Sequence, residues 1–159
     1  MALDPLRLPL RWAMRSIQQL RRLAWRIRKP GIVGAHAVAM SREGKVILVK
    51  LRYERGWSVP GGRRKAGETA LENALREMRE ELGASAYGEP VHLLDEVTSI
   101  NYRSDNAAVF LVPDVAYSPR WSLEIEAIGE FAPDHLPPDT SWRARKWIAA
   151  ALERLPLPC

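Results

Sequence analysis

Gly61 to Ala84 reads GGRRKAGETALENALREMREELGA, and this stretch decides the architecture. A glycine turn opens it and a helical pattern follows. Leu71, Ala74, Leu75, Met78 and Leu82 recur at i, i+3, i+4, i+7 and i+11, an apolar stripe suited to a core. Glu77, Glu80 and Glu81 stand three and four residues apart, so at about 100° per residue they fall together on the other side. Like charges at that spacing destabilise an isolated helix by a few tenths of a kcal/mol. A divalent cation among them reverses the sign, and an oxygen-only donor set suits Mg²⁺ or Mn²⁺.

The chain around this stretch reads as one soluble domain with an appendage. At 159 residues, 47% hydrophobic and 27% charged, it is long enough to bury about two-thirds of its unfolded surface. No run approaches the 18 or so apolar residues that a membrane span requires. Cys159 is the only cysteine, which leaves no internal disulfide framework and points to a reducing, cytoplasmic compartment. One cysteine and three scattered histidines supply no zinc cluster.

Charge is unevenly spread. Residues 1–30 hold eight of the 24 Lys and Arg but only Asp4 among the acids, a net +7, whereas residues 31–159 are at −2. The basicity therefore belongs to the appendage, and specific nucleic-acid binding is not expected from the overall pI. From about Pro9 to Lys29 the appendage reads as an amphipathic helix. Arg11, Arg15, Gln18, Arg22, Arg26 and Lys29 share one face; Leu10, Met14, Ile17, Leu20, Ala24 and Ile27 share the other, with Trp12 and Trp25 at the borders. Three coverings for the apolar face compete: docking on this domain or across a homodimer, attachment of residues 9–29 to a membrane surface, and use as a cleaved targeting peptide. The short Pro30-Gly31 connection favours docking.

Beyond Pro30-Gly31, Ile32 to Met40 and Val46 to Leu51 read as a strand pair joined by Ser41-Arg42-Glu43-Gly44. Trp57-Ser58-Val59-Pro60 is a short extended piece that delivers the chain to Gly61. After the helix, Val91 to Tyr102 and Ala107 to Val115 read as a second pair around Arg103-Ser104-Asp105-Asn106, and Leu123 to Glu126 as a further strand. Asp139 is read as the cap of a closing helix over Thr140 to Arg154, with Ala144, Trp147, Ile148, Ala151 and Leu152 as its core stripe. Helices on both sides of a mixed sheet make an α/β/α sandwich.

From Gly62 the spacing is glycine, five residues, Glu68, seven residues, Arg76-Glu77-Met78, one residue, Glu80-Glu81, one residue, Gly83-Ala84. This resembles the Nudix box, the signature of the Nudix hydrolases, and matches it at every charged and glycine position. The last slot departs, with small Ala84 where a larger aliphatic residue is usual, and Glu130 stands before Phe131 where the family commonly has Trp. The resemblance implies a Nudix-like α/β fold over residues 31–159 and cleavage of a nucleoside diphosphate linked to another group, with Mg²⁺ or Mn²⁺ required. It implies metal ligation by Glu77, Glu80, Glu81 and the backbone carbonyl of Gly61. It pairs Arg76 with Glu68 as a brace between loop and helix, and leaves Glu80 and Glu81 as alternative general bases.

Arg63, Tyr53, Trp57 and Glu124 are the candidates to contact a small nucleotide-type substrate. The aromatics would stack a base and Arg63 would meet phosphate, while the resemblance implies a further carboxylate toward the metal or the catalytic water from the later strand, Glu124 in preference to Glu126; Tyr102 and Phe110 are further stacking candidates. For each, ordinary packing or solvation is the bland alternative. Two rival functions remain: a Nudix-like binding or regulatory module without turnover, against which all the box carboxylates stand, and a membrane-surface enzyme acting on a lipid-linked diphosphate.

Overall fold

The computed structural model describes residues 32–100 and 103–155. The amphipathic segment expected over residues 9–29, Tyr102 and Cys159 lie outside the described residues.

Among the described residues, nine strands and two helices follow one another in the order β1 (Ile32–Met40), β2 (Val46–Leu51), β3 (Trp57–Ser58), β4 (Gly61–Arg63), α1 (Ala70–Leu82), β5 (Ala84–Ala86), β6 (Val91–Ile100), β7 (Arg103–Val112), β8 (Ala116–Tyr117), β9 (Ile125–Phe131) and α2 (Trp142–Leu152). The β1–β2 hairpin forms as expected, with Met40 opposite Val46 and Ala39 opposite Ile47. Past these two pairs the strands separate. The chain from Trp57 to Arg63 enters the gap: β3 pairs with β2 at Val49 and Lys50, and β4 pairs with β1 at Gly34, Ala35 and His36. The other edge of β1 runs parallel to β7 from Ile32–Asp105 to Ala39–Val112, and β9 runs antiparallel along β2. The main sheet is therefore mixed, and it forks where Gly61 and Gly62 lie.

Alternation along β1 sorts the core into two layers. Ala35, Ala37 and Ala39 face α1, where Ala74, Met78 and Leu82 are buried together with Ile47, Val49 and Val112. Three small side chains in a row let the helix approach the sheet closely. Val38 and Met40 face α2, where Ala144, Trp147, Ile148 and Ala151 pack with Val46, Leu48 and Val109. Each large aliphatic buried in this way contributes about 1.5–3 kcal/mol. The arrangement is the expected α/β/α sandwich.

Boundaries moved where polar residues proved to be paired. Arg103 to Asn106 belong to β7 rather than to a loop, and the register closes on Ile100 opposite Arg103. Tertiary pairing outweighs polarity there, since Asp105 accepts from Arg143 Nη1 at 2.9 Å. The strand read over Leu123 to Glu126 begins later, at Ile125, and continues to Phe131. The closing helix starts at Trp142 and is capped by Ser141, whose Oγ accepts from the Ala144 amide at 3.2 Å. Asp139 instead gives its carbonyl to Trp57 N, 3.1 Å, and its carboxylate to Lys50, 3.4 Å. The α1 stripe is rotated slightly from expectation: Leu71 and Leu75 are only partly buried, whereas polar Asn73 is fully buried.

Candidate active site

Two local devices fix the position of α1. At its start Thr69 Oγ1 accepts from Glu72 N at 3.2 Å while Glu72 returns the bond to Thr69 N at 2.7 Å, a capping box that satisfies two otherwise orphaned donors. At its end Gly83 adopts φ 72°, the left-handed conformation that closes a helix. The connection from β4 to α1 is held by Arg76. Its guanidinium donates to Glu68 at 2.7 and 3.2 Å, to Glu77 at 2.8 Å, to Glu80 at 2.9 Å and to the Arg63 carbonyl at 3.2 Å. These hydrogen bonds, with one from Lys65 N, hold the Glu68 carboxyl down to about 2. Asn73 Nδ2 reaches the same Arg63 carbonyl at 3.4 Å, which explains why an amide sits in the helix's buried face.

Glu77 and Glu81, one turn apart, both lie against the glycine pair in the fork. Gly61 N donates to Glu81 Oε2 at 3.1 Å. A Cβ added to Gly62 would stand 2.6 Å from Glu77 Oε1, and one added to Gly61 would collide with the His36 ring and the Ala35 carbonyl. Only glycine admits the helix carboxylates this close to the backbone. Burial pushes the Glu81 carboxyl up to about 8, and Glu77, Glu124 and Glu54 push in the same direction. Burial likewise raises Glu77, against the pull of Arg76. Tyr53, inside the same field, has its hydroxyl pushed well up by burial and then by Glu124, Glu54, Glu81 and Glu77.

The other expected site residues divide between the layers. Glu80 is half-exposed and takes Arg76 and Lys65 as partners. Tyr53 packs on the α1 side, and Glu124 precedes β9 within electrostatic reach of Glu77 and Glu81. Arg63 has its side chain at the surface and its carbonyl bound by the Arg76 brace. Trp57 belongs to the opposite layer, edge-on to Phe131 at 5.0 Å, so the sheet separates it from the carboxylates. Phe110 is buried in the core of the α1 layer.

Two residues near the fork had no signal in the sequence, Glu54 on the carboxylate side and His36 on the α2 side. Glu54, in the loop after β2, adds its field to Glu81 and Tyr53. His36 lies opposite Gly61 with its ring 4.6 Å from that of Trp147, and burial lowers it to about 4. Neither has a spacing motif; strand register and loop placement bring them in.

Among the described residues no three carboxylates or imidazoles form a ready-made cage. The donor chemistry nonetheless fits a hard divalent cation. Glu77 and Glu81 supply oxygens, burial drives both toward their neutral forms, Glu77 despite its ion pair with Arg76, and the glycine pair leaves the backbone uncovered beside them.

The chain is similar to known proteins in sequence and in fold. Two proteins of Bacillus subtilis (strain 168) are similar over part of the chain. One, provisionally named an 8-oxo-dGTP diphosphatase, is 40% identical over 53 residues, 33% of this chain and 36% of that protein. The other, provisionally named the ADP-ribose pyrophosphatase YjhB, is 38% identical over 56 residues, 35% of this chain and 26% of that protein. The chain thus spans only about a third and a quarter of the length of these relatives. Among solved structures, the MutT NUDIX hydrolase from Burkholderia pseudomallei superposes with a TM-score of 0.66 at 27% identity, over 76% of this chain and 98% of that one. The NUDIX domain family model matches residues 31–151, from the start of β1 into α2, and the chain belongs to the NUDIX family.

Proposed function

We propose that the chain is a metal-dependent hydrolase that cleaves the diphosphate linkage of a nucleoside diphosphate bonded to a further group. The observation that carries this reading is the seating of Glu77 and Glu81 on the Gly61-Gly62 backbone, inside a loop–helix unit locked by Arg76. The relatives' names support the substrate class, since 8-oxo-dGTP and ADP-ribose share a nucleoside diphosphate unit carrying one more group.

Mg²⁺ or Mn²⁺, held by Glu77, Glu81 and the Gly61 carbonyl with Glu80 at the margin, would neutralise the diphosphate and polarise the attacking water. The rest is work for the chain's own groups. Glu68 and Arg76 hold the helix carboxylates at a fixed distance from the glycines, so little reorganisation remains when substrate arrives. Arg63 at the mouth meets the polyanion. Tyr53 stays a neutral hydroxyl and donates to a phosphate or sugar oxygen. Water attacks phosphorus, the bridging P–O bond breaks, and the water proton passes to Glu80 or Glu81. The products are a nucleoside monophosphate and the phosphorylated partner group.

The test is a panel of nucleoside diphosphate derivatives assayed with Mg²⁺ and with Mn²⁺, products identified by mass, using wild type and Glu81→Gln. The variant is expected to turn over at least ~10²-fold more slowly with its fold intact. Equal rates would mean the reacting centre lies elsewhere. Binding without product under either metal would make the chain a binding module.

A further inference from the structure

On its α1 side the sheet extends farther than the helix that covers it. Val33, Asn106 and Val97 form one rung across β1, β7 and β6, and Ala35, Ala108 and Asp95 form the next. The helix begins at Ala70 and reaches the second rung, with Ala35 fully buried and Ala108 packed on the core. Among the described residues nothing covers the first rung. Val33 is 37% and Val97 70% exposed, and a groove of about 230 Å³ runs between Val33, Val97, Ala108, Ala70 and Arg64. Asn106 Oδ1 on its floor is buried without a hydrogen-bond partner among the described residues.

We propose that residues 9–29 dock in this groove, with the C-terminal end of their apolar stripe, Ala24 and Ile27, laid over Val33 and Val97. The described chain starts at Ile32, one residue before Val33, so whatever precedes it emerges at the groove itself. Pro30-Gly31 is a tether of two residues, which raises the local concentration of the segment at the groove far above that of any second copy. From Ile27 to Val33 the chain can span at most about 20 Å. Val33 and Val97 are two strand spacings apart, about 10 Å, well inside that reach. Charge agrees with this placement: the segment sits in the +7 part of the chain, the remainder is at −2, and Asp95 stands 71% exposed at the rim.

The test is cross-linking in the full chain carrying Cys159→Ser, with Val97→Cys paired to Ile27→Cys or Ala24→Cys and treated with a short bismaleimide. The control pair is Ile27→Cys with Glu43→Cys, in the turn beyond the far end of β1 and about 30 Å from Val33. Val97 is mostly exposed, so its replacement should leave the melting curve unchanged. Docking gives an intramolecular product at least ~10-fold above the control, with a yield independent of protein concentration. Cross-linked dimers whose yield rises with concentration would place a second copy in the groove and overturn the proposal. A yield no higher than the control overturns it as well, and salt-reversible binding to vesicles of anionic phospholipid would then give the segment to a membrane surface.

Discussion

Arg76→Met is the most informative single change for the architecture of the site. The methionine keeps most of the side chain's apolar stem and removes every donor. Lost with the guanidinium are two bonds to Glu68, one each to Glu77 and Glu80, and one to the Arg63 carbonyl. Were this an ordinary surface pair, the cost would be under about 1 kcal/mol. The side chains of Arg76, Glu68 and Glu77 are, however, only 14%, 13% and 14% exposed, and removing one partner of a fully buried pair costs about 3–5 kcal/mol. With Glu80 open to solvent the lower end applies, on the order of 3 kcal/mol, or about 10 °C in Tm for a domain of this size. The pH dependence separates charge from packing. Arg76 holds Glu68 at about 2 in the folded protein, so its contribution is present above the ordinary carboxylate range and disappears as pH falls from about 4.5 toward 2. The difference between wild type and variant, followed by chemical denaturation at pH 7 and pH 3, should therefore shrink in acid. A loss below 1 kcal/mol at pH 7, or one of equal size at both pH values, would refute the brace.

Two further predictions concern the layers on either side of the sheet. His36 is held at about 4 by burial, with Arg143 lowering it further and Asp105 and Glu96 opposing. Because its folded value lies below the unfolded 6.5, stability is full above pH 6.5 and declines toward pH 4, by about 2 kcal/mol once its partial exposure is allowed for; His36→Leu should flatten denaturation midpoints between pH 7 and 4.5. Met78→Ala, at a fully buried position on α1, should cost about 2–5 kcal/mol in urea unfolding, and Leu75→Ala less because Leu75 is only partly buried. If Leu75 proved the costlier of the two, the helix would be rotated from the orientation described.

The sequence by itself determined what depends on local spacing. The period of the apolar residues placed α1, and the spacing of Glu77, Glu80 and Glu81 put the three carboxylates on its other side. Those relations act within one helix, where neighbours along the chain are neighbours in space. The ion pair of Glu68 with Arg76 was implied by the resemblance to the Nudix box rather than by spacing alone, and it forms.

Only the tertiary structure decided which face of the sheet each side chain serves, since a single-residue change of register reverses every assignment on a strand. Trp57 lies in the wrong layer to meet the carboxylates, and His36, paired opposite Gly61, turns its ring to Trp147 in that same layer, whereas Glu54, without any motif, is brought to them by a loop. The polar run Arg103 to Asn106 resembles a turn until β1 and β6 pair with it and Arg143 takes up Asp105. In each case the deciding partner is far away in sequence. The energy of pairing and burial contributed by that partner outweighs the weak local preference of the residue itself.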